Sequence, residues 1–194
     1  MDHLDSLESQ SIYIFREAFN RIDKLAMLWS LGTDSNVMSW LARKAFFGHV
    51  PFPCMHIDTE KKFPEMYEFR DRYVSEWGLN FISDTCPPVE EMDETLPPAA
   101  RSAARKTAGL KTLLQKHGFE GVIAGIRRDE EGTRAKERYF SPRGERGKWD
   151  IKEQPPEFWG QFNTTFPPGT HLRIHPLLHW TEIDIWRYTL RENI

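Results

Sequence analysis

LAMLWSLGTDSNVMSWLARKAFF, residues 25–47, is the stretch that decides the fold. Its first part, residues 25–31, is a continuous apolar run, which predicts a strand buried on both faces of a parallel sheet. The run ends in small polar residues, and helical spacing then resumes. The apolar positions of that helix are Val37, Met38, Leu41 and Ala45. A buried strand that passes directly into a helix is typical of a sheet covered by helices on both faces.

Strand and helix patterns alternate along the rest of the chain. Helices are predicted over residues 3–22, 63–78, 101–118 and 181–193. Strands are predicted over residues 52–59, 80–85, 120–128 and 171–180. Residues 129–169 are polar and proline-interrupted, with no clear period. We therefore predict an α/β fold, a three-layer, doubly wound, mainly parallel sheet of about five strands, in a single domain spanning residues 1–194.

Composition and charge disfavour several classes of protein. A formal net charge of −3 over 194 residues gives no general attraction to nucleic acid or to a membrane, so any anion site must be local. The sequence contains no apolar run of about 18 residues, the length that a membrane span needs. Cys54 and Cys86 form no CxxC motif, which disfavours a disulfide framework, a zinc site or an iron–sulfur cluster and favours a reducing cytoplasm.

The polar segments of the chain follow its predicted strands. In open parallel sheets, ligands bind beyond the carboxyl ends of the strands. Four segments are expected to share this edge: residues 30–35, 58–62, 125–134 and 175–181. The pattern therefore predicts one ligand site built from these four segments.

The turn after the first strand has the composition of an anion site. It comprises Ser30, Leu31, Gly32, Thr33, Asp34 and Ser35. A helix N-terminus offers unpaired N–H groups and a partial positive charge, and Gly32 lacks the Cβ that would keep a phosphate away. Serine and threonine hydroxyls add donors, and Asp34 either caps the helix or helps to hold a metal–phosphate complex. The alternative is an ordinary tight turn capped by Asp34, and the generic Walker pattern GxxxxGK[ST] is absent.

A basic block follows the fourth predicted strand. Gly125 begins it, and residues 127–148 hold eight basic and five acidic residues. The basic residues are Arg127, Arg128, Arg134, Lys136, Arg138, Arg143, Arg146 and Lys148. Arginine suits phosphate and sulfate because its planar guanidinium donates two hydrogen bonds at once. The alternative is a solvated loop with surface ion pairs, which would leave the two arginines at the strand end unexplained.

Several of these motifs together resemble a known family. SLGTDS resembles the SGGxDS-type pyrophosphate loop of the N-type ATP pyrophosphatases, which have an adenine nucleotide α-hydrolase-like fold. PFPCMHIDT (51–59), GIRRDEEGTRAKERYFSPR (125–143) and WTEIDIW (180–186) extend the match. With them the chain resembles the ATP-binding small subunit of bacterial sulfate adenylyltransferase, in the PAPS reductase/ATP pyrophosphatase (PP-loop) superfamily. The resemblance covers nearly the whole chain. Its most specific motifs are GIRRDEEGTRAKERYFSPR and WTEIDIW.

The resemblance implies an activity and a set of roles. The reaction joins sulfate to the α-phosphate of ATP and releases pyrophosphate, in sulfate assimilation. Ser30, Gly32, Asp34 and Ser35 would hold the leaving pyrophosphate, and Arg127, Arg128 and Arg134 would hold sulfate and stabilise charge on the phosphate. Asp58 would contact the nucleotide, with a structural turn aspartate as the alternative. Mg²⁺ would accompany ATP, with Asp34 and Asp129 eligible as ligands, and a GTPase large subunit would be the partner.

The sequence also departs from the family. The family loop usually has lysine where this chain has Thr33, and the loss of one charge-assisted phosphate bond costs roughly 1.5–3 kcal/mol. The family continues beyond Ile194, so a C-terminal segment is expected to be missing. Three alternatives stay open: an ATP pyrophosphatase that activates another acceptor for sulfur modification, a sulfonucleotide reductase, and a catalytically impaired nucleotide-binding subunit. The reductase needs a cysteine nucleophile on a C-terminal tail, and this sequence ends without one.

Other side chains are predicted to be structural. His56 alternates with apolar neighbours in a strand, Cys54 lies in the same strand, and Trp180 and Trp186 are expected to anchor the last helix in the core. Pro176 indicates that the last strand is an edge strand or ends early.

Overall fold

The computed structural model describes residues 2–144, 149–150, 152, 154–167 and 169–194. The helices are α1 (His3–Arg21), α2 (Thr33–Ala45), α3 (Pro64–Glu76), α4 (Pro98–His117) and α5 (Glu182–Glu192). The strands are β1 (Leu25–Leu28), β2 (Cys54–Asp58), β3 (Phe81–Thr85), β4 (Gly121–Ile123), β5 (Phe140–Arg143) and β6 (His171–Ile174). None of the helices in the described residues is long and apolar enough to cross a lipid bilayer.

These strands form one sheet, in the order β3-β2-β1-β4-β6-β5. The first five strands in that order run parallel, and β5 pairs antiparallel with β6. The predicted α/β fold with a mainly parallel sheet is confirmed. The sheet has six strands where the sequence predicted about five.

The sixth strand, β5, lies in the segment whose sequence showed no period. Pro142 lies inside it, opposite Leu172 on β6. Proline has no N–H to give to a sheet, but β5 is the last strand of the sheet and bonds on one side only, where proline is tolerated. An edge strand interrupted by proline leaves little trace in the hydrophobic pattern.

Two apolar layers cover the sheet. On one face, α4 packs Leu110 and Leu113 against Ala26, Met55 and Val122. The larger core lies on the other face, where α1, α2 and α5 pack against alternate strand residues. Its largest fully buried side chains include Trp29, Trp180, Tyr188, Phe15, Phe140 and Met38. The doubly wound, three-layer architecture follows from this division.

The first and last helices begin with capping boxes. In α1, Asp2 and Asp5 exchange side-chain and backbone hydrogen bonds, and in α5 Thr181 and Asp184 do the same. His3 Nε2 lies 3.1 Å from Asp184 Oδ1, so the two helix starts meet. Each capping box satisfies N–H groups that have no partner within the helix.

Three strands end several residues earlier than the sequence predicts. β4 stops at Ile123 instead of residue 128, because the chain turns and the Ile126 N–H bonds back to the Ala124 carbonyl (3.0 Å). β1 stops at Leu28 because the backbone at Leu31 turns into the left-handed region, with φ of 67°. β6 stops at Ile174, before His175 and Pro176, as the proline indicated. Trp180 is buried as predicted, but the prediction for Trp186 is wrong, since it is 56% exposed on α5.

Removal of the α5 cap should weaken the fold. In Thr181→Ala the Asp184 N–H loses its side-chain acceptor, and the free energy of unfolding should fall by about 1 kcal/mol. Urea denaturation followed by circular dichroism measures this difference. Thr165→Ala, at an exposed threonine outside the helices, is the matched control and should change stability by much less. Equal stability of the two variants would contradict the assigned role of the cap.

Candidate functional site

The loops that follow β1, β2, β4 and β6 leave the sheet at one edge, because these four strands are parallel. The N–H of Arg128, in the loop after β4, donates to the carbonyl of Leu178, after β6 (3.1 Å). Ser30 and Lys62, after β1 and β2, line one cavity. The structure therefore brings the four predicted segments together.

The turn between β1 and α2 presents an open helix N-terminus. Gly32 is the N-cap residue and supplies no side-chain hydrogen bond, and the first intrahelical bond runs from the Asn36 N–H to the Gly32 carbonyl (3.0 Å). The N–H groups of Thr33, Asp34 and Ser35 come before that bond and have no acceptor within the helix. Asp34 is therefore not the cap, and the capping role that the ordinary-turn alternative gave it is wrong.

Serine hydroxyls and a strained residue shape this turn. Ser30 Oγ donates to Ser35 Oγ (3.1 Å), and Ser35 Oγ donates to the Gly32 carbonyl (2.8 Å). Leu31 carries the positive φ of 67°, which costs a non-glycine residue on the order of 1 kcal/mol, and its buried side chain holds it there. Gly32 itself has an ordinary φ of −82°, and a Cβ there would lie 3.5 Å from Ser30 Oγ. The backbone conformation at this position therefore does not require glycine. The absence of a side chain instead leaves room outside the turn.

Arg127 ties the loop after β4 to this turn. Its guanidinium is buried and pairs with the carboxylate of Asp34 and, through Nε, with Asp129 Oδ1 (2.9 Å). Asp129 Oδ2 in turn accepts from the Glu182 N–H at the start of α5 (2.8 Å). Gly125 lies directly against the first turn of α2, since a Cβ on it would meet Asp34 backbone at 3.6 Å. Burial lowers the pKa of Arg127, but the two carboxylates outweigh this effect and raise it, so the side chain stays charged.

The other two predicted arginines have different neighbours. Arg128 donates from Nη2 to the Glu137 carbonyl (2.8 Å) and lies 5.9 Å from the ring centroid of Tyr139. Arg134 Nε lies 3.1 Å from Glu131 Oε1. Neither contact is with the β1–α2 turn, so their roles toward phosphate or sulfate stay predictions. The predicted basic residues Arg146 and Lys148 lie outside the described residues.

Asp58 ends β2 with its carboxylate held by three neighbours. Oδ1 accepts from the Glu60 N–H and the Tyr67 hydroxyl, each at 2.8 Å, and Lys62 Nζ lies at 3.7 Å. Burial raises the pKa of Asp58, but these donors outweigh it and hold the pKa below its ordinary value. The carboxylate shapes the turn after β2, and its predicted contact with a nucleotide stays a prediction.

A cavity of about 430 Å³ opens between the ends of β1 and β2 and helix α4. We call it the nucleoside cavity, after its size alone. Its lining residues are Leu28, Trp29, Ser30, Met55, Ile57, Thr59, Lys62, Lys106, Thr107, Leu110 and Arg173. Its size is in the range of small-ligand pockets, roughly 300–1,000 Å³, and its walls are mainly apolar with a few polar groups.

Sequence reasoning missed two cations of this cavity, Lys62 and Arg173. Lys62 follows β2 within the predicted segment 58–62, but a lone lysine in a turn carries no distinguishing pattern. Arg173 did carry one: it is a charged residue between Leu172 and Ile174 in a strand with sheet neighbours on both sides. A charge at such a position is the signal that could have found it.

The site was also expected to take Mg²⁺. The described residues contain no group of three or more His, Cys, Asp or Glu side chains that could hold a metal ion. The two eligible carboxylates, Asp34 and Asp129, are already paired with Arg127. The side chains present therefore do not fit a metal site made by the protein alone, and no catalytic step is derived through Mg²⁺.

Comparison with known proteins identifies relatives along the whole chain. Residues 24–194 match the family of the phosphoadenosine phosphosulfate reductase domain. The chain is 47% identical over 200 aligned positions to sulfate adenylyltransferase subunit 2 of Pseudomonas fluorescens and 46% identical to that of Pseudomonas putida. Each alignment covers 100% of this chain and 65% of the relative, so the chain spans about two thirds of the length of these relatives.

Solved structures share the fold at low sequence identity. The FMN adenylyltransferase of Candida glabrata, in complex with FAD and pyrophosphate, matches with a TM-score of 0.65 at 16% identity, over 98% of this chain and 57% of that one. The phosphoadenylyl-sulfate reductase of Candida auris, as a phosphate complex, matches with a TM-score of 0.63 at 14% identity, over 100% of this chain and 87% of that one. At such identities the likeness establishes the fold alone.

The contacts of Asp58 predict a pH dependence. Its folded pKa lies below the ordinary value of 3.8, so its contribution to stability is complete above that pH and is lost as the pH falls through the folded pKa. Tyr67→Phe removes one donor and should move the Asp58 pKa upward. Carboxyl ¹³C NMR titration measures the Asp58 pKa in the native chain and in Tyr67→Phe. Tyr13→Phe, which removes a hydroxyl elsewhere, is the control. An Asp58 pKa unchanged by Tyr67→Phe would contradict this account.

Proposed function

The chain belongs to the phosphoadenosine phosphosulfate reductase domain family, and from this premise we propose that it binds ATP and transfers its adenylyl group to sulfate. The observation that carries the proposal is its similarity, along its full length, to proteins named sulfate adenylyltransferase subunit 2. The meeting of the β1–α2 turn with the Arg127 loop supports it independently, because an anion site and a nucleoside-sized cavity then share one edge of the sheet.

In this proposal the two ends of ATP occupy different parts of the site. The β- and γ-phosphates bind at the N–H groups of Thr33, Asp34 and Ser35. The hydroxyls of Ser30 and Ser35 become donors to phosphate when they release their present hydrogen bonds within the turn. The adenosine enters the nucleoside cavity, where apolar side chains from β1, β2 and α4 contact the base. Arg127 shares its single positive charge between Asp34 and Asp129, so it reduces but does not cancel the repulsion between the Asp34 carboxylate and the phosphates.

The proposed reaction needs no protein nucleophile. An oxygen of sulfate forms a bond to the α-phosphorus, and the bond from that phosphorus to the oxygen bridging the β-phosphorus breaks. Pyrophosphate leaves with the electron pair. The protein contributes positions and positive charge: it aligns sulfate with the leaving group and stabilises the charge that moves onto pyrophosphate.

Other features of the proposal depend on the family resemblance. Arg127 acts by fixing Asp34 and the loop after β4, and Arg128 and Arg134 act on phosphate or sulfate only if their present contacts open. Mg²⁺ accompanies ATP, bound chiefly by phosphate oxygens and water. A partner subunit, which we infer to be a GTPase, completes the enzyme in the cytoplasm, and the relatives' name "subunit 2" supports a second subunit.

Thr33 favours a second candidate function. At the first position of α2 it offers a hydroxyl where a lysine would bring a positive charge to the phosphates. A subunit without this charge binds ATP but turns it over slowly or not at all. The two candidates differ in turnover and agree on the nucleotide site.

Pyrophosphate–ATP exchange decides between them. We expect the chain, mixed with the large subunit of a sulfate adenylyltransferase, to incorporate labelled pyrophosphate into ATP only when sulfate is present. Tight ATP binding without exchange would support the impaired subunit. Release of sulfite from a sulfonucleotide in the presence of a thiol would support a reductase instead and contradict the proposal.

Thr33→Lys tests the placement of the phosphates. The new ammonium should strengthen ATP binding by roughly 1.5–3 kcal/mol, which is tenfold or more in affinity, because it adds a charge-assisted bond. Calorimetric titration with ATP measures this change. Thr165→Lys adds the same charge at an exposed site outside the helices and should change the affinity far less. Equal effects of the two lysines would contradict the placement of the phosphates at α2.

A further inference from the structure

Arg173 is a charged residue within the sheet. It lies on β6, opposite Val122 of β4 and Ser141 of β5. Its neighbours Leu172 and Ile174 belong to the larger core, whereas Val122 packs on the face covered by α4. Side chains alternate along a strand, so Arg173 extends from the α4 face. A cation at this position is costly unless something compensates its charge.

The described residues compensate this charge only in part, because the Glu137 carboxylate, which pairs directly with Arg143, lies near enough to raise the pKa of Arg173. Arg173 Nε is buried without a hydrogen-bond partner among them, and none of their carboxylates forms an ion pair with its guanidinium. Two more deeply buried arginines do form ion pairs: Arg127 pairs with two carboxylates, and Arg143 pairs with Glu137 at 2.7 Å. Burial and the nearby Arg143 outweigh the effect of Glu137 and lower the pKa of Arg173 to about 10, which still leaves it charged at neutral pH.

Two cavities meet at this side chain. Arg173 and Thr107 line both the nucleoside cavity and a second cavity of about 370 Å³ between α4 and the β5–β6 end of the sheet. The cations that line one or both are Lys62, Lys106, Lys111, Arg143 and Arg173. Glu120, in the second cavity, is the one carboxylate among the described lining residues. In a chain of net charge −3, this concentration of positive charge marks a place for an anion.

We infer that Arg173, with Lys106 and Thr107 of α4, binds a doubly charged tetrahedral oxyanion, and that this oxyanion is the sulfate acceptor of the proposed function, on which the inference rests. Arg173 can donate two parallel hydrogen bonds to such an ion, and Lys106 adds a second positive charge from α4. Both residues also line the nucleoside cavity, which contains Ser30 of the β1–α2 turn. The oxyanion therefore lies beside the nucleotide on the α4 face of the sheet, whereas α2, whose turn holds the leaving pyrophosphate, packs on the other face.

This arrangement matches the geometry of the reaction. Sulfate must approach the α-phosphorus from the side away from the leaving pyrophosphate, because its oxygen forms the new bond to phosphorus as the bond to the bridging oxygen breaks. An acceptor at Arg173 and pyrophosphate at α2 would lie on opposite sides of the α-phosphate. The same side chain could instead hold a phosphate of ATP, and the experiment must separate these two sources of oxyanion.

Equilibrium dialysis with ³⁵S-labelled sulfate, and separately with ATP, tests the inference on the full chain. Arg173→Gln should weaken sulfate binding at least tenfold and change ATP affinity no more than threefold. Arg173→Lys, which keeps the charge, should retain part of the sulfate affinity. Arg187→Gln, at an exposed arginine on α5, is the control and should change neither. Without sulfate, Arg173→Met should unfold at the same temperature as the native chain or higher, because a partly buried charge that has no direct ion pair is removed.

The outcomes separate the inference from the proposed function. Loss of ATP binding with unchanged sulfate binding in Arg173→Gln would assign the site to a nucleotide phosphate and overturn the inference. A lower unfolding temperature of Arg173→Met would overturn it too, since the arginine would then be structural. If the native chain binds ATP but no sulfate, the inference alone is refuted. If it binds sulfate through Arg173 but no ATP, the proposed function alone is refuted. If it binds neither, both are refuted.

Discussion

One ion pair, between Arg127 and Asp34, holds the candidate site together. It joins the loop after β4 to the first turn of α2, and through Asp129 it also reaches the start of α5. The pair also decides the electrostatics of the turn. A free carboxylate at Asp34 would oppose a phosphate, whereas the carboxylate paired with Arg127 opposes it less and leaves more of the effect of the N–H groups and partial positive charge of the helix.

The positive charge of the site therefore comes from residues outside the Arg127–Asp34 pair. The single positive charge of Arg127 is outweighed by its two carboxylates, and Thr33 brings no charge to the turn. Lys62, Lys106 and Arg173 supply it from the opposite wall of the nucleoside cavity. A triphosphate would lie between the backbone N–H donors at the start of α2 and the cationic side chains on the side of α4. The leaving pyrophosphate would then be at α2 and the acceptor on the side of α4.

Much of the fold follows from sequence patterns, because buried parallel strands and amphipathic helices differ in period. The β1–α2 turn, the capping box at Thr181 and the joining of Arg127 to the turn could be expected from such patterns and from the family resemblance. The sequence could not show that Leu31 takes the strained backbone conformation or that Gly32 caps the helix. It also could not show β5, whose Pro142 hides the strand, or that Arg128 turns toward Glu137. These features depend on tertiary packing, which local sequence patterns do not predict.

The central claim is that the β1–α2 turn and the loop after β4 form one triphosphate site. A crystal structure with a non-hydrolysable ATP analogue tests it most directly. The account predicts phosphate oxygens within hydrogen-bond distance of the Thr33, Asp34 and Ser35 N–H groups, the adenine in the cavity between β1, β2 and α4, and the Arg127–Asp34 pair intact beneath them. An analogue bound elsewhere, or phosphates that displace Asp34 from Arg127, would contradict it.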